Sequence, residues 1–180
     1  MILLFETLSG LLIFAAIGVL LCRTSEKNIV KMEKLCRNKV VGLALSLPCA
    51  LLCVPLAVPV SPGFLQIWLW PLAIVLPLLC YFHIDYYASR GLAFMLILWA
   101  YDVVHGAFEL KIPAAPAVTV IALLLGISGI WLAAKPCLLR DIFRKAAVSK
   151  RWKYIMFALS VPGGLTSLYM LIMCAGDAVK

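Results

Sequence analysis

Long apolar runs dominate the chain, and their lengths predict six membrane-spanning helices. A helix rises about 1.5 Å per residue, so about 20 apolar residues cross a hydrocarbon core of about 30 Å. The uncharged stretch 40–82 is too long for one crossing, and the Pro- and Gly-containing turn signal at 58–63 divides it in two. The predicted spans are 2–21, 40–58, 64–83, 89–109, 117–134 and 154–175.

Two short segments between the spans show a different, amphipathic pattern. In 135–153 one helical face carries five apolar side chains and the opposite face is basic, which predicts a helix lying at the membrane surface. The apolar face comprises Leu138, Leu139, Ile142, Phe143 and Ala146. In 22–39 a similar but weaker pattern leaves a short surface helix and a solvated charged loop as equal alternatives.

Composition supports lipid as the solvent for this chain. Of its 180 residues, 65% are hydrophobic and 13% are charged, and the mean hydropathy is +1.08. A soluble domain is roughly 45–50% apolar and about 25% charged. The sequence therefore predicts an all-α, polytopic transmembrane helical bundle, with 1–180 forming a single integral membrane domain.

Positive charge is confined to a few loops, which predicts the orientation. Segments 22–39 and 135–153 and Arg90 together hold fourteen Lys and Arg, whereas the other side holds only Lys111 and Lys180. Cytoplasmic loops carry the excess of Lys and Arg. We therefore expect an integral plasma (cytoplasmic) membrane protein with both termini outside.

The same basic residues suggest membrane lipid as a partner. Clustered Lys and Arg beside spans attract anionic headgroups, whereas the net charge of +8 is not spread into a face suited to nucleic acid. We expect no nucleic-acid partner, and a membrane protein is a possible second partner. The candidate headgroup contacts are Arg90, Arg140, Arg144, Lys145, Arg151 and Lys153.

Ionisable side chains interrupt the apolar pattern in the fourth predicted span. Asp102 and His105 lie inside it, Glu109 lies at its end, and Glu6 interrupts the first span at a similar depth. Since successive helical residues are about 100° apart, positions 102, 105 and 109 fall within about 60° of one another. The spacing predicts one polar stripe in the outer half of the membrane.

Two interpretations of this stripe remain open. Charged groups in the bilayer normally face the bundle interior or water, so the stripe could form a proton or cation site or a polar pocket. Alternatively, Asp102 and His105 form a hydrogen-bonded pair that fixes helix packing, while Glu109 is simply exposed to water.

Other motifs point to no metal and no cofactor. His83 and His105 lie a membrane thickness apart, and the seven cysteines lack the spacing of metal ligands. Residues 126–129 match the GxSG motif of rhomboid proteases over four residues, but no histidine follows Ser128. Small residues at this spacing are typical of helix packing.

Three functions are compatible with these patterns. The first is a non-enzymatic accessory, assembly or structural component of the membrane. The second is a small ion- or proton-coupled transporter that uses the polar face of the fourth span. The third is a membrane-embedded enzyme acting on a lipid-linked substrate, with a carboxylate and His105 as acid–base partners.

Overall fold

The computed structural model describes the backbone of residues 2–24, 28–109, 112 and 114–178, and the side chains of 7–24, 28–109, 112 and 114–174. Within these ranges the regular structure consists of eight helices. They are α1 (Ile2–Arg23), α2 (Ile29–Arg37), α3 (Lys39–Ala57), α4 (Gly63–His83), α5 (Tyr87–Glu109), α6 (Ala115–Ala134), α7 (Cys137–Val148) and α8 (Lys150–Ala178).

Five of these helices are long and apolar enough to cross a membrane, and the chain is a multi-pass membrane protein. They are α3, α4, α5, α6 and α8. The part of α1 whose side chains are described, Thr7–Arg23, is a shorter apolar helix. The helical-bundle fold is thus as predicted, but the count of clear spans is five, and the first of the six predicted spans stays a prediction.

Helix boundaries lie close to the predicted ones, and both amphipathic segments are helical. α7 buries Phe143 and Ala146 from its predicted apolar face. The loop alternative for 22–39 is wrong for Ile29–Arg37, because α2 is a helix that buries Met32 and Cys36. α8 begins at Lys150, four residues before the predicted sixth span. Only Ser149, which has an extended backbone, separates it from α7.

α5 is the central helix, and small residues bring α6 against it. Ala93, Ala100 and Ala107 recur every seven residues on α5 and are all buried. A Cβ placed on Gly126 of α6 would lie 2.9 Å from the Cβ of Ala100, and one on Gly129 would lie 3.1 Å from the carbonyl oxygen of Ala93. Backbones that approach this closely gain van der Waals contact where lipid provides no hydrophobic drive.

The same contact explains the GxSG sequence in α6. Gly126 and Gly129 face α5, whereas Ser128 is exposed and donates a hydrogen bond to the carbonyl oxygen of Leu125 at 2.6 Å. The packing interpretation of this motif is therefore confirmed.

Trp99 joins α5 to α1 and α8. Its indole Nε1 donates to Ser167 Oγ at 2.9 Å, and Ser167 in turn donates to the carbonyl oxygen of Gly163 at 2.9 Å. The ring meets Phe14 of α1 edge-on, with 4.9 Å between centroids. Gly10 makes room for it, because a Cβ there would overlap the indole. One buried aromatic therefore fixes the spacing of three helices.

Tyr87 makes the corresponding joint between α3, α4 and α5. Its hydroxyl donates to the carbonyl oxygen of Pro77 at 2.9 Å, so the Ser46 hydroxyl donates to the Tyr87 oxygen. Both hydroxyl groups are buried. Because unsatisfied polar groups are expensive in lipid, this chain of hydrogen bonds stabilises the three-helix contact.

Replacing Gly42 with alanine should push α3 away from α5. A Cβ at this position would lie 2.6 Å from the backbone carbonyl carbon of Tyr87, which cannot rotate aside. Overpacking of this kind destabilises by about 1–3 kcal/mol. We expect Gly42→Ala to lower the thermal unfolding midpoint in detergent, whereas Gly63→Ala should not, because a Cβ at Gly63 meets nothing within 4 Å. Equal midpoints for the two variants would contradict this packing.

Candidate functional site

Asp102 lies inside the bundle and not on an exposed face. Its side chain is on the buried side of α5, which also carries the core residues Trp99 and Val103, and the residue is 4% exposed. The neighbouring core comes from α1, α6 and α8 as well as α5. Asp102 therefore belongs to the packed interior, in the half of α5 that is farther from Tyr87.

His105 and Glu109 lie on the outer side of the same helix. Their side chains are 53% and 65% exposed, and 3.8 Å separates His105 Nδ1 from Glu109 Oε1. The His105 ring also meets the exposed Tyr101 ring edge-on, at 5.9 Å between centroids. This pair follows the helical spacing expected from the sequence.

The structure therefore divides the predicted stripe into two environments. The 60° between positions 102 and 105 is enough to turn one into the core and the other outward, because α5 has neighbours on most of its circumference. Asp102 is buried, whereas His105 and Glu109 are exposed, and a common site for the three residues stays a prediction. The Glu6 side chain lies outside the described residues, and its place near Asp102 stays a prediction.

The basic end of the bundle is a second candidate site, and it is more ordered than the sequence suggested. α2 and α7 pack against each other and against the neighbouring ends of α1 and α8. The shared core comprises Leu21, Met32, Cys36, Phe143 and Ala146. We call α2 and α7 together the basic platform. Both basic segments therefore lie at the same end of the bundle.

An ion pair joins the two helices of the basic platform. The Arg144 guanidinium donates to the Glu33 carboxylate. This hydrogen bond holds the pKa of the Glu33 carboxyl below its usual value of 4.5. Under the platform, burial raises the pKa of the Cys36 thiol to about 11, which keeps the thiol neutral at physiological pH.

Tyr86 connects the basic platform to the turn between α4 and α5. Arg37 of α2 lies over its ring, at 5.5 Å from the centroid, and the Arg140 Nη1 lies 3.5 Å from its hydroxyl oxygen. Tyr86 has a φ of 55°, a left-handed conformation that is unfavourable for a side chain of this size. Contacts from both platform helices stabilise that turn.

Three of the predicted headgroup contacts also stabilise the protein itself. Arg144 pairs with Glu33, and Arg140 pairs with Asp141 at 3.1 Å, which raises the pKa of Arg140. Lys153 donates to the carbonyl oxygens of Cys22, at 2.8 Å, and Thr24, at 3.2 Å, and so caps the end of α1.

The other three lie at the surface. Lys145 lies over the Trp152 ring, at 5.3 Å from the centroid, and Arg151 and Arg90 are exposed. These side chains remain available to lipid.

Two apolar cavities reach the end of the bundle that carries the basic platform. One, of about 350 Å³, lies between the platform and α1, α3, α5, α6 and α8. The other, of about 320 Å³, is a groove between α3, α4 and the start of α5, with Arg90 among its lining residues. Asp102, His105 and Glu109 line neither cavity.

Within the described part of the chain, no three His, Cys, Asp or Glu side chains come together in a way that could hold a metal ion. His83 is the last residue of α4, close to the start of α5, whereas His105 lies near the other end of α5. The two histidines are therefore far apart, as the sequence indicated.

Comparison of the chain with protein-family models, with curated proteins and with solved structures gives no match.

Replacing Arg144 should weaken the basic platform in a pH-dependent way. Because the pKa of Glu33 is lower in the folded protein than in the unfolded chain, the ion pair stabilises the fold above about pH 4.5. That stabilisation is lost as the pH falls through the lower, folded value. We expect Arg144→Gln to lower the thermal unfolding midpoint at pH 7, and the difference from the wild type to vanish at low pH. Arg151→Gln is the control, and a pH-independent effect of Arg144→Gln would contradict the assignment.

Proposed function

We propose that this chain is a non-enzymatic accessory component of the plasma membrane, which holds a membrane protein partner beside an anionic inner leaflet. In this proposal it crosses the membrane six times, with α1 as the first span, and both termini lie outside. The basic platform lies on the cytoplasmic surface.

The observation that carries the proposal is the small amount of contact that α4 makes within its own bundle. Only Ala73 and Pro77 of its 21 residues are buried, and the helix packs mainly against α3. The opposite face of α4 presents large apolar side chains, among them Trp68, Val75 and Leu79. A membrane helix with so little internal packing offers a face to a second membrane protein, because association in lipid depends on van der Waals contact.

The basic platform supports the proposed orientation. α2 and α7 are in contact at one end of the bundle, and Arg90 lies in the first turn of α5 at that end too. The thirteen Lys and Arg of the described residues therefore gather on one side. Positive charge of this kind favours the cytoplasmic side and the anionic lipid found there.

A small ion- or proton-coupled transporter is the second candidate. Asp102 favours it, because an ionisable side chain buried within a span is expensive and commonly marks a pathway. Against it, the His105 and Glu109 side chains are more than half exposed, whereas Asp102 is buried. The third candidate, an enzyme acting on a lipid-linked substrate, needs His105 and a carboxylate on one substrate. His105 and Glu109, 3.8 Å apart, form one such pair, and both side chains are exposed.

A photocrosslinking side chain at Val75 or Leu79 should attach a second membrane protein in intact cells. Both positions lie opposite the face of α4 that packs on α3, so a partner on this helix would be within reach. The adduct should be a discrete band on denaturing gels. Leu124 of α6, which is 62% exposed, is the matched control and should give lipid adducts only.

Lipid adducts alone at all three positions would contradict the partner proposal. A purified chain that moves an ion across liposomes, and loses that flux in Asp102→Asn while remaining at normal abundance, would replace it with the transporter. A purified chain that turns over a lipid substrate, and loses activity in His105→Ala, would replace it with the enzyme.

Orientation can be tested with single-cysteine variants. Cys137 is exposed in the basic platform, whereas a cysteine introduced at Gly63 would lie in the opposite turn. We expect a membrane-impermeant maleimide to label Gly63→Cys in intact cells and to reach Cys137 only after the membrane is broken. The reverse pattern would invert the proposed orientation.

A further inference from the structure

We infer that the groove between α3, α4 and α5 binds one anionic phospholipid, with its phosphate on Arg90 and one acyl chain along the groove. This inference deepens the proposed function, because it rests on the basic end of the bundle lying at the inner leaflet. It assigns one specific lipid site, which is distinct from the general attraction of anionic lipid to the basic loops.

The groove has the dimensions of one acyl chain. It extends along α3 from Ser46 to Ala57, a rise of eleven residues, which corresponds to about 17 Å of helix. Because α3 begins at Lys39, the groove continues from the end that carries Arg90 past the middle of a hydrocarbon core of about 30 Å. The groove volume of about 320 Å³ lies at the lower end of ligand pockets and is suited to a slender occupant.

The lining of the groove demands an apolar occupant. Its hydroxyl groups belong to Ser46 and Tyr87, and these already hydrogen-bond to each other and to the Pro77 carbonyl. These two hydroxyl groups therefore need no hydrogen bond from a ligand. Apart from Arg90, Cys53 and Cys80, the remaining walls are aliphatic or aromatic, such as Leu72 and Phe94.

Arg90 is the charged residue of the groove, and it lies at the level of the lipid headgroups. It is three residues into α5, which is about 4.5 Å from the inner end of that helix. An arginine at this depth extends its guanidinium toward the interface. No described side chain forms an ion pair or a hydrogen bond with the Arg90 guanidinium.

The charge around Arg90 favours an anion. Lys39 lies at the same end, where its ammonium donates to the Phe82 carbonyl at 3.3 Å. Asp85 is exposed in the adjoining turn and makes no ion pair with Arg90 within 4 Å. With two cations and one carboxylate, this end of the groove is positive, and a guanidinium binds phosphate through paired hydrogen bonds.

The test is lipid binding to the full-length protein in a neutral detergent, measured by native mass spectrometry. The probes are dioleoyl phosphatidylglycerol and dioleoyl phosphatidylcholine. We expect one phosphatidylglycerol to bind, and Arg90→Gln to weaken it by roughly tenfold, the loss typical of a charge-assisted hydrogen bond. Arg90→Lys should retain part of the binding. Lys34→Gln, an exposed charge on α2, is the matched control and should bind as the wild type does.

Filling the groove tests the acyl-chain half of the inference. Ala50→Leu or Ala73→Leu adds bulk to the groove wall and leaves Arg90 in place. We expect either variant to weaken phosphatidylglycerol binding, while thermal unfolding confirms that the variant is folded.

Wild-type binding in Arg90→Gln or in both folded leucine variants would overturn the site. Equal binding of phosphatidylcholine would overturn the preference for an anionic lipid. None of these results alters crosslinking from Val75 or Leu79, so failure of the lipid site is distinguishable from failure of the partner proposal.

Discussion

Close backbone contact around α5 is the constraint on which the rest of this structure depends. Lipid tails are as apolar as the helices, so burial alone cannot hold the spans together. The contact of Gly126 with Ala100 and that of Gly42 with Tyr87 bring α6 and α3 against α5 at distances that larger residues would prevent. α5 is therefore the most buried span, and the positions of the other helices follow from it.

Polar side chains inside the spans serve mainly as joints at these contacts. The Trp99–Ser167 hydrogen bond ties α5 to α8, and Tyr87 ties α5 to Pro77 of α4. Each joint satisfies polar atoms that would be costly in hydrocarbon. Asp102 is buried in the same core that contains Trp99, so its surroundings resemble a helix junction more closely than an aqueous pathway.

Sequence periodicity was sufficient to predict the spans and α7, because both patterns depend only on local spacing. It did not resolve the environment of Asp102 and His105, since a 60° separation has meaning only once the neighbours of α5 are known. The sequence also did not show which charged side chains form ion pairs. Glu33 and Arg144 are 111 residues apart, so no local pattern indicates their pairing. Lone polar residues in apolar runs, such as Ser46 and Ser167, were the available signal for the joints, and they were missed.

The basic platform and α4 differ in how firmly they are held in the bundle, and this difference bears on function. At the basic end, α2 and α7 share a core, an ion pair and contacts to Tyr86. α4, by contrast, contributes only Ala73 and Pro77 to the buried interior, and a groove remains between it and α3. Local stability follows packing density, so α4 is the span whose position responds most readily to what lies beside it. In the two proposals, lipid in the groove and a protein on the outer face would contact opposite sides of this one helix.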